Sequence, residues 1–220
     1  MTRPLNVMVI ESHGGAGAEA ARALGAAGHR VQRCHDDDSR GFPCRGVIDP
    51  TDCPLARHTD VALLVRRRVT PTPTALEQGV ACAIRAGVPV VEAGPDALDP
   101  YGPWVAARVE DDVVATCEAA SEAALGGLRR DILRLAGPVF AGAGITAGEA
   151  ECRLEPDATQ LRVRFDLPSA VAPAVKQALA VRVLDAVRGG QRTYGPVQVT
   201  VHGPAHPPDV EPPPGRGPWA

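Results

Sequence analysis

The chain is poor in aromatic residues and has almost no lysine. Phe, Trp and Tyr make up 3% of its 220 residues, whereas hydrophobic residues together make up 45%. A core of this composition must consist largely of Val, Leu and Ala side chains. Lys176 is the only lysine, and the use of Arg together with abundant Ala, Gly and Pro is typical of a GC-rich bacterial genome. Motifs made of small residues are therefore frequent by chance in this chain.

We expect no segment of this sequence to direct the protein to a membrane or out of the cell. No apolar run approaches the roughly 20 residues of a membrane span, and the segment 1–5 leads into a strand without room for a signal peptide. The net charge of −3 gives no reason to expect nucleic acid as a partner. We therefore expect a cytoplasmic protein with no membrane span and no nucleic-acid partner, whose six cysteines are reduced thiols or metal ligands.

Common catalytic motifs are missing as well. The sequence contains no G-x-S-x-G nucleophile elbow and no Walker-type G-x-x-x-x-G-K-[ST] phosphate loop. Ser12 and His13 are adjacent rather than spaced as in a catalytic triad. Catalytic residues stay unassigned, and the sequence leaves open whether the protein is an enzyme.

The most informative stretch is the opening segment 6–38, which predicts a strand, a glycine-rich turn, a helix and a second strand. The turn carries Gly14, Gly15 and Gly17 and fits a G-x-G-x-x-A pattern. Such glycines let the backbone approach a dinucleotide pyrophosphate, and a carboxylate about 20 residues further on binds the ribose. Gly14, Gly15, Gly17 and Asp36 are therefore candidate cofactor-binding residues. The alternative is a turn that needs glycine for close packing, followed by a solvated acidic run at 36–38.

Two further strands, at 60–65 and 88–92, flank a helix at 74–86 that begins with a capping box of Thr74 and Glu77. Strands that alternate with helices indicate right-handed crossovers and a parallel sheet. The segment 6–94 resembles NAD(P)-binding Rossmann-type domains, and this resemblance implies an NAD(P) cofactor. We therefore expect an α/β fold with a Rossmann-like parallel sheet that has helices on both faces.

Three of the six cysteines fall in a loop-rich stretch, together with two histidines: Cys34, His35, Cys44, Cys53 and His58. Thiolate and imidazole groups are ligands of zinc and of iron–sulfur clusters, so these five residues are candidate metal ligands. The stretch contains no C-x-x-C pair, however, and half-buried cysteines that act as small hydrophobic residues are the alternative. The other three cysteines are expected to lie in the core.

The remainder of the chain predicts a second, smaller domain. A helix over 112–136 has hydrophobic residues three to four positions apart, and it ends the first domain, 1–137. A glycine-rich linker is expected at 138–148, a domain at 149–202, and a proline-rich disordered tail at 203–220.

The predicted domain at 149–202 is a small α+β unit with the order β-β-α-β. Strands at 149–154 and 161–165 form a hairpin, a helix covers 172–188, and Val197, Val199 and Val201 alternate with polar residues in a last strand. This order is similar to that of the alkaline-shock (Gls-type) envelope-stress family, which implies an oligomerising or protein-interaction module. A homo-oligomer through the 112–136 helix or through this domain is the corresponding prediction.

Three functional hypotheses follow. The first is a cytoplasmic two-domain binding or regulatory protein, with a nucleotide or metal (Zn or Fe–S) site in the loops of the Rossmann-like domain. The second is an NAD(P)-dependent oxidoreductase, for which His13 is the one proton donor that can be named. The third is a non-catalytic oligomeric scaffold.

Overall fold

The computed structural model describes residues 3–35, 41, 43–68, 72–95, 100–157, 160–189 and 194–204. The candidate residue Asp36 and most of the predicted tail lie outside these residues. The described part contains one five-stranded sheet and one three-stranded sheet. No helix in the described part is both long enough and apolar enough to cross a membrane.

The first half of the chain alternates strands and helices. Its elements are β1 (Asn6–Glu11), α1 (Ala18–Ala26), β2 (Arg30–Arg33), α2 (Arg45–Ile48), β3 (Val61–Val65), α3 (Gln78–Arg85), β4 (Val90–Ala93) and β5 (Val105–Arg108). A 3-10 turn at Ala75–Glu77 precedes α3, and the capping box of Thr74 and Glu77 is confirmed there. All pairs in the sheet are parallel, in the order β2-β1-β3-β4-β5. The four-residue strand β5 is an element that the sequence did not predict.

Both faces of this sheet are buried. Val7, Val9 and Leu63 point to the face that is covered by α1 and by the long helix at 113–142. Met8 and Ile10 point to the other face, which is covered by α3 and by residues near Leu55. Because each central strand is apolar on both faces, β1 and β3 appear in the sequence as continuous apolar runs. The predicted α/β class, with a parallel sheet and helices on both faces, is confirmed.

The order of the strands in the parallel sheet could not be predicted from the sequence. β1 lies between β2 and β3, whereas in the dinucleotide-binding order of doubly wound sheets β1 lies between β2 and the fourth strand. The observed order is the other common order of doubly wound sheets, and its switch point lies between β1 and β3. A ligand of such a sheet is expected outside the carboxyl ends of the strands.

The helix α4 (Val113–Gly142) is 30 residues long and belongs to both halves of the molecule. Asp112 caps it, because its carboxylate accepts hydrogen bonds from the amides of Val114 and Ala115. Its first part contributes Cys117 to the core of the parallel sheet, and its second part contributes Leu128, Ile132, Ala136 and Phe140 to the second core.

The predicted end of this helix at 136 is therefore wrong, and the first residues of the linker expected at 138–148 belong to α4. The helix continues through Pro138 to Gly142, and Phe140 and Ile145 are buried in the second core. The reason is packing, since Ile132, Ala136 and Phe140 lie on one face of the helix and are all fully buried. Burial of this face outweighs the cost of a proline inside the helix.

The C-terminal elements are β6 (Glu151–Pro156), β7 (Leu161–Asp166), α5 (Pro173–Gly189) and β8 (Val197–His202). β6 and β7 form the predicted antiparallel hairpin, and β8 pairs parallel to β7, so that β7 is central. The inward residues Leu161, Val163 and Phe165 are fully buried beneath α4 and α5, while the opposite face of β7 is polar. The β-β-α-β order is confirmed in the described residues.

Candidate functional site

The glycine turn after β1 is shaped by packing and by one carboxylate. Gly15 has a φ of +76°, which only glycine adopts without strain. A Cβ atom on Gly17 would lie 2.7 Å from Cγ1 of Val9, so α1 can approach β1 only with glycine at this position. The backbone amide of Gly17 donates a hydrogen bond of 2.7 Å to Oε1 of Glu11, which is itself buried.

This hydrogen bond places a negative group at the N-terminus of α1. In dinucleotide-binding proteins that position belongs to the pyrophosphate, whose charge the helix terminus stabilises. Here the carboxylate of Glu11 accepts a hydrogen bond from the amide of the N-cap residue Gly17, and it would repel a second anion at this position. The geometry of Gly15 and Gly17 therefore favours the packing interpretation of the turn over the pyrophosphate interpretation.

A buried cluster of charges lies at the carboxyl ends of β3 and β4. Arg66 follows β3 and is 2% exposed, and its Nε donates a hydrogen bond of 3.1 Å to Oε1 of Glu77. Nη1 of Arg66 lies 3.8 Å from Glu92, and Nη1 of Arg108 lies 3.5 Å from the other oxygen of Glu92. Two cations thus meet two carboxylates, and Tyr101 donates a further hydrogen bond of 3.2 Å to Glu77. The described charges of this cluster therefore pair with one another at the carboxyl ends of β3, β4 and β5.

Two members of this charge cluster had a signal in the sequence: Glu77 in its capping box, and Arg66 in the run of arginines at 66–68 that ends a predicted strand. Glu92 and Arg108 stood in or beside short strands with nothing to distinguish them. The carboxyl ends of parallel strands meet at one edge, so charged residues at those ends could have been grouped only with the strand order in hand.

The thiol of Cys34 is buried, and this raises its pKa to about 12, with smaller contributions from the nearby thiols of Cys44, Cys53 and Cys82. Cys82 was expected in the core, but it is only half-buried on the helix α3. A Cβ atom on Gly79 would lie 2.9 Å from Sγ of Cys34, so α3 packs directly on this thiol. A thiol held neutral in this way is a poor nucleophile and a poor metal ligand.

The five predicted metal ligands do not form a metal site in the described part of the chain. Within the residues that the structure describes, no three Cys, His, Asp or Glu side chains are arranged to hold a metal ion. His58 is engaged elsewhere, because its Nε2 donates a hydrogen bond of 2.8 Å to Asp60 and its ring stacks on Tyr194. All six cysteines are free thiols.

Two adjoining cavities lie along the outer edge of β2. The first has a volume of about 340 Å³, the second about 400 Å³, and they share Gln32 and Arg57. We call them together the β2 groove, whose basic residues are Arg30, Arg33, Arg45 and Arg57 with His35 and His58. Its one described acidic residue is Asp52, whose carboxylate lies 3.7 Å from Arg45.

The β2 groove contains three of the residues that the sequence had marked for a metal: His35, Cys53 and His58. The arginines were not marked, because they are separated in sequence and come from β2, from α2 and from the segment before β3. A groove with this lining is suited to bind an anion, since the guanidinium group presents paired donors that match phosphate and carboxylate.

A scan against protein-family models finds no match for this chain, and a search of curated proteins finds no sequence that is significantly similar to it.

Proposed function

We propose that this protein is a cytoplasmic binding or regulatory protein that binds a small phosphate-bearing ligand, of nucleotide size, in the β2 groove. The observation that supports the proposal is the convergence of four arginines, at 30, 33, 45 and 57, on two adjoining cavities. The free state of all six cysteines supports a reducing compartment.

The size and chemistry of the groove fit such a ligand. Each cavity is about 340 to 400 Å³, at the lower end of the range for small-molecule sites, and together they can hold a nucleotide. A larger cavity of about 560 Å³ lies beside α4, but it combines Arg3 with the carboxylates of Glu118 and Glu122 and would repel an anion. The β2 groove is therefore the better anion site.

The proposal differs from an NAD(P) site on the glycine turn. The carboxylate of Glu11 at the N-terminus of α1 disfavours a pyrophosphate there, and the observed strand order is not the dinucleotide-binding order. Of the alternatives, the oxidoreductase has no supporting contact in the described residues, whereas the oligomeric scaffold is compatible with ligand binding.

The test is isothermal titration calorimetry of the full chain with ADP, with inorganic pyrophosphate and with adenosine as the uncharged comparison. We expect ADP and pyrophosphate to bind and adenosine not to bind, because the guanidinium groups recognise the phosphates. Changing Arg57→Gln should raise the dissociation constant for ADP by about tenfold, since Arg57 lines both cavities.

The matched control is Arg134→Gln. Arg134 is an exposed arginine on α4 whose guanidinium pairs with Asp131, and it lies outside the β2 groove. This variant should bind ADP like the parent chain. Absence of ADP binding, or binding that Arg57→Gln leaves unchanged, would refute the proposal.

A further inference from the structure

The two sheets have four edge strands, and three of them carry features that prevent another strand from pairing. β2 carries Arg30 and Arg33, and β5 has only four residues with an irregular register beside it. β6 ends in Pro156 and carries Glu151, Arg153 and Glu155. Charges, prolines and short or irregular strands are the usual means by which proteins protect sheet edges.

β8 lacks all of these features. Its sequence, Val197–His202, contains no proline, no glycine and no Asp, Glu, Lys or Arg. Within the described residues it pairs with β7 alone, so its other edge is open. The inward residues of the central strand β7 are 0% exposed, whereas Val197, Val199 and Val201 are only half-buried although they face the same core.

The hydrogen bonds to β7 show which backbone groups β8 leaves at its open edge. The amides of Leu161 and Leu167 donate to the carbonyls of Pro196 and His202, so the even-numbered residues bond toward β7. Successive residues in a strand direct their amide and carbonyl groups to opposite sides. The amides and carbonyls of Val197, Val199 and Val201 therefore point toward the open edge.

We propose that two copies of this chain pair through β8 as antiparallel neighbours, which joins the two three-stranded sheets into one continuous sheet. A twofold axis at Val199 places Val199 opposite the partner's Val199 and Val197 opposite the partner's Val201. All three outward-directed residues are then hydrogen-bonded, and every valine stays on the helix-covered face.

In the same register, the polar residues of the two copies of β8 are also compatible with each other. Gln198 lies opposite the partner's Thr200, so no like charges meet across the axis. The segment that follows β8 is a poor substitute for a second copy, because seven prolines stand in 203–220 and proline cannot donate to a strand ladder. The self-complementary sequence of β8 is what selects a second copy of this chain as the partner.

The first test is sedimentation equilibrium of the full chain and of the variant Val199→Pro. The amide of Val199 points away from β7, so proline there keeps the ladder within one copy and removes a donor in each copy from the dimer. We expect a dimer for the parent chain, with a dissociation constant that the variant raises by about tenfold or more. A parent chain that stays monomeric at every concentration refutes the proposal.

The control is Val31→Pro. Val31 is a half-buried valine in the edge strand β2, and the amides of Arg30 and Cys34 bond to β1, so its own amide also points outward. This variant places a proline in an edge strand in the same way as Val199→Pro, but in the other sheet. It should therefore dimerise like the parent chain. Equal weakening by both variants would show a general effect of proline and would overturn the assignment to β8.

A second test probes the register without changing the backbone. In the double variant Gln198→Glu and Thr200→Glu, carboxylates of the two copies face each other, and the dimer should weaken. In Gln198→Glu and Thr200→Lys, opposite charges face each other, and the dimer should persist. Both positions are exposed in a single copy, so folding is preserved. If the two double variants dimerise equally well, the register centred on Val199 is wrong and the proposal fails.

Discussion

At the scale of single residues, Asp60 connects separate parts of the chain. It precedes β3, and its Oδ2 accepts a hydrogen bond of 2.7 Å from the amide of Asn6 in β1. Its Oδ1 accepts hydrogen bonds from His58 and from the guanidinium group of Arg3. Since the ring of His58 stacks on Tyr194 with 4.5 Å between centroids, this carboxylate also positions a contact between the two halves.

Burial raises the pKa of Asp60, but the hydrogen bonds from His58 and Arg3 and the adjacent positive charge outweigh it and lower the pKa from 3.8 to about 2. The ionised carboxylate therefore stabilises the folded state above pH 3.8, and this contribution is lost as the pH falls through about 2. The pKa difference corresponds to about 2 kcal/mol.

The variant Asp60→Asn should therefore have a lower free energy of unfolding than the parent chain at pH 6, by about 2 kcal/mol. The difference should shrink to a small fraction of this value near pH 2, because the parent carboxyl is then about half protonated in the folded chain and almost fully protonated in the unfolded chain. Urea unfolding of both proteins at the two pH values measures this difference in the free energy of unfolding. The other acidic groups are the same in both proteins, so their contributions cancel in the comparison. A difference that is independent of pH would contradict this role of Asp60.

At the scale of elements, tertiary packing in α4 outweighs the helix-breaking effect of Pro138. Pro138 lacks an amide, and its ring crowds the carbonyl of Arg134 one turn earlier. The helix nevertheless continues, because Ala136 and Phe140 on either side of the proline are fully buried against the second sheet. The proline thus lowers the stability of the helix, and the packing of Ala136 and Phe140 against the second sheet offsets this loss.

Replacing Pro138 by alanine should raise the free energy of unfolding by about 1–2 kcal/mol, because the chain regains a helical hydrogen bond and loses the ring clash. Its side chain is exposed, so no core contact is lost. Chemical unfolding followed by circular dichroism measures the change.

The neighbouring variant Gly137→Ala is the comparison for helix propensity alone, since a Cβ atom there would meet nothing within 4 Å. The free energy of unfolding of this variant should be higher than that of the parent chain by about 0.5–1 kcal/mol. A loss of stability in Pro138→Ala would show that the proline is required at this point of the helix.

At the scale of the whole molecule, the two sheets are joined through one helix. Cys117 of α4 packs in the core of the parallel sheet, while Ile132 and Phe140 of the same helix pack in the second core. The boundary between the halves therefore runs through a continuous helix rather than through a flexible linker. Unfolding of either half removes part of the support of the other.

We expect the two halves to unfold in one cooperative step. In native-state hydrogen exchange, the slowest amides of β3 and of β7 should exchange with the same free energy, because both strands are central and share α4. Exchange detected by mass spectrometry at increasing urea concentration measures both. A markedly lower free energy for β7 would show that the C-terminal half opens independently.

The sequence by itself determined the class of fold and most of the elements. Continuous apolar runs predicted β1, β3 and β4, and alternation predicted β7 and β8. The capping box predicted a helix that starts at 74, where the structure has a 3-10 turn that leads into α3. These signals are local: periodicity, capping and turn chemistry act over a few residues. The short strand β5 escaped them, because four residues carry too little pattern.

The tertiary structure decided whatever depends on residues that are distant along the chain. It placed β3 beside β1 and carried α4 through Pro138 against the second sheet. The arginines of the β2 groove, at 30, 33, 45 and 57, likewise converge only once the segment between β2 and β3 is folded against the sheet edge. Such contacts are set by burial and by the charges they bring together, and no local pattern in the sequence records them.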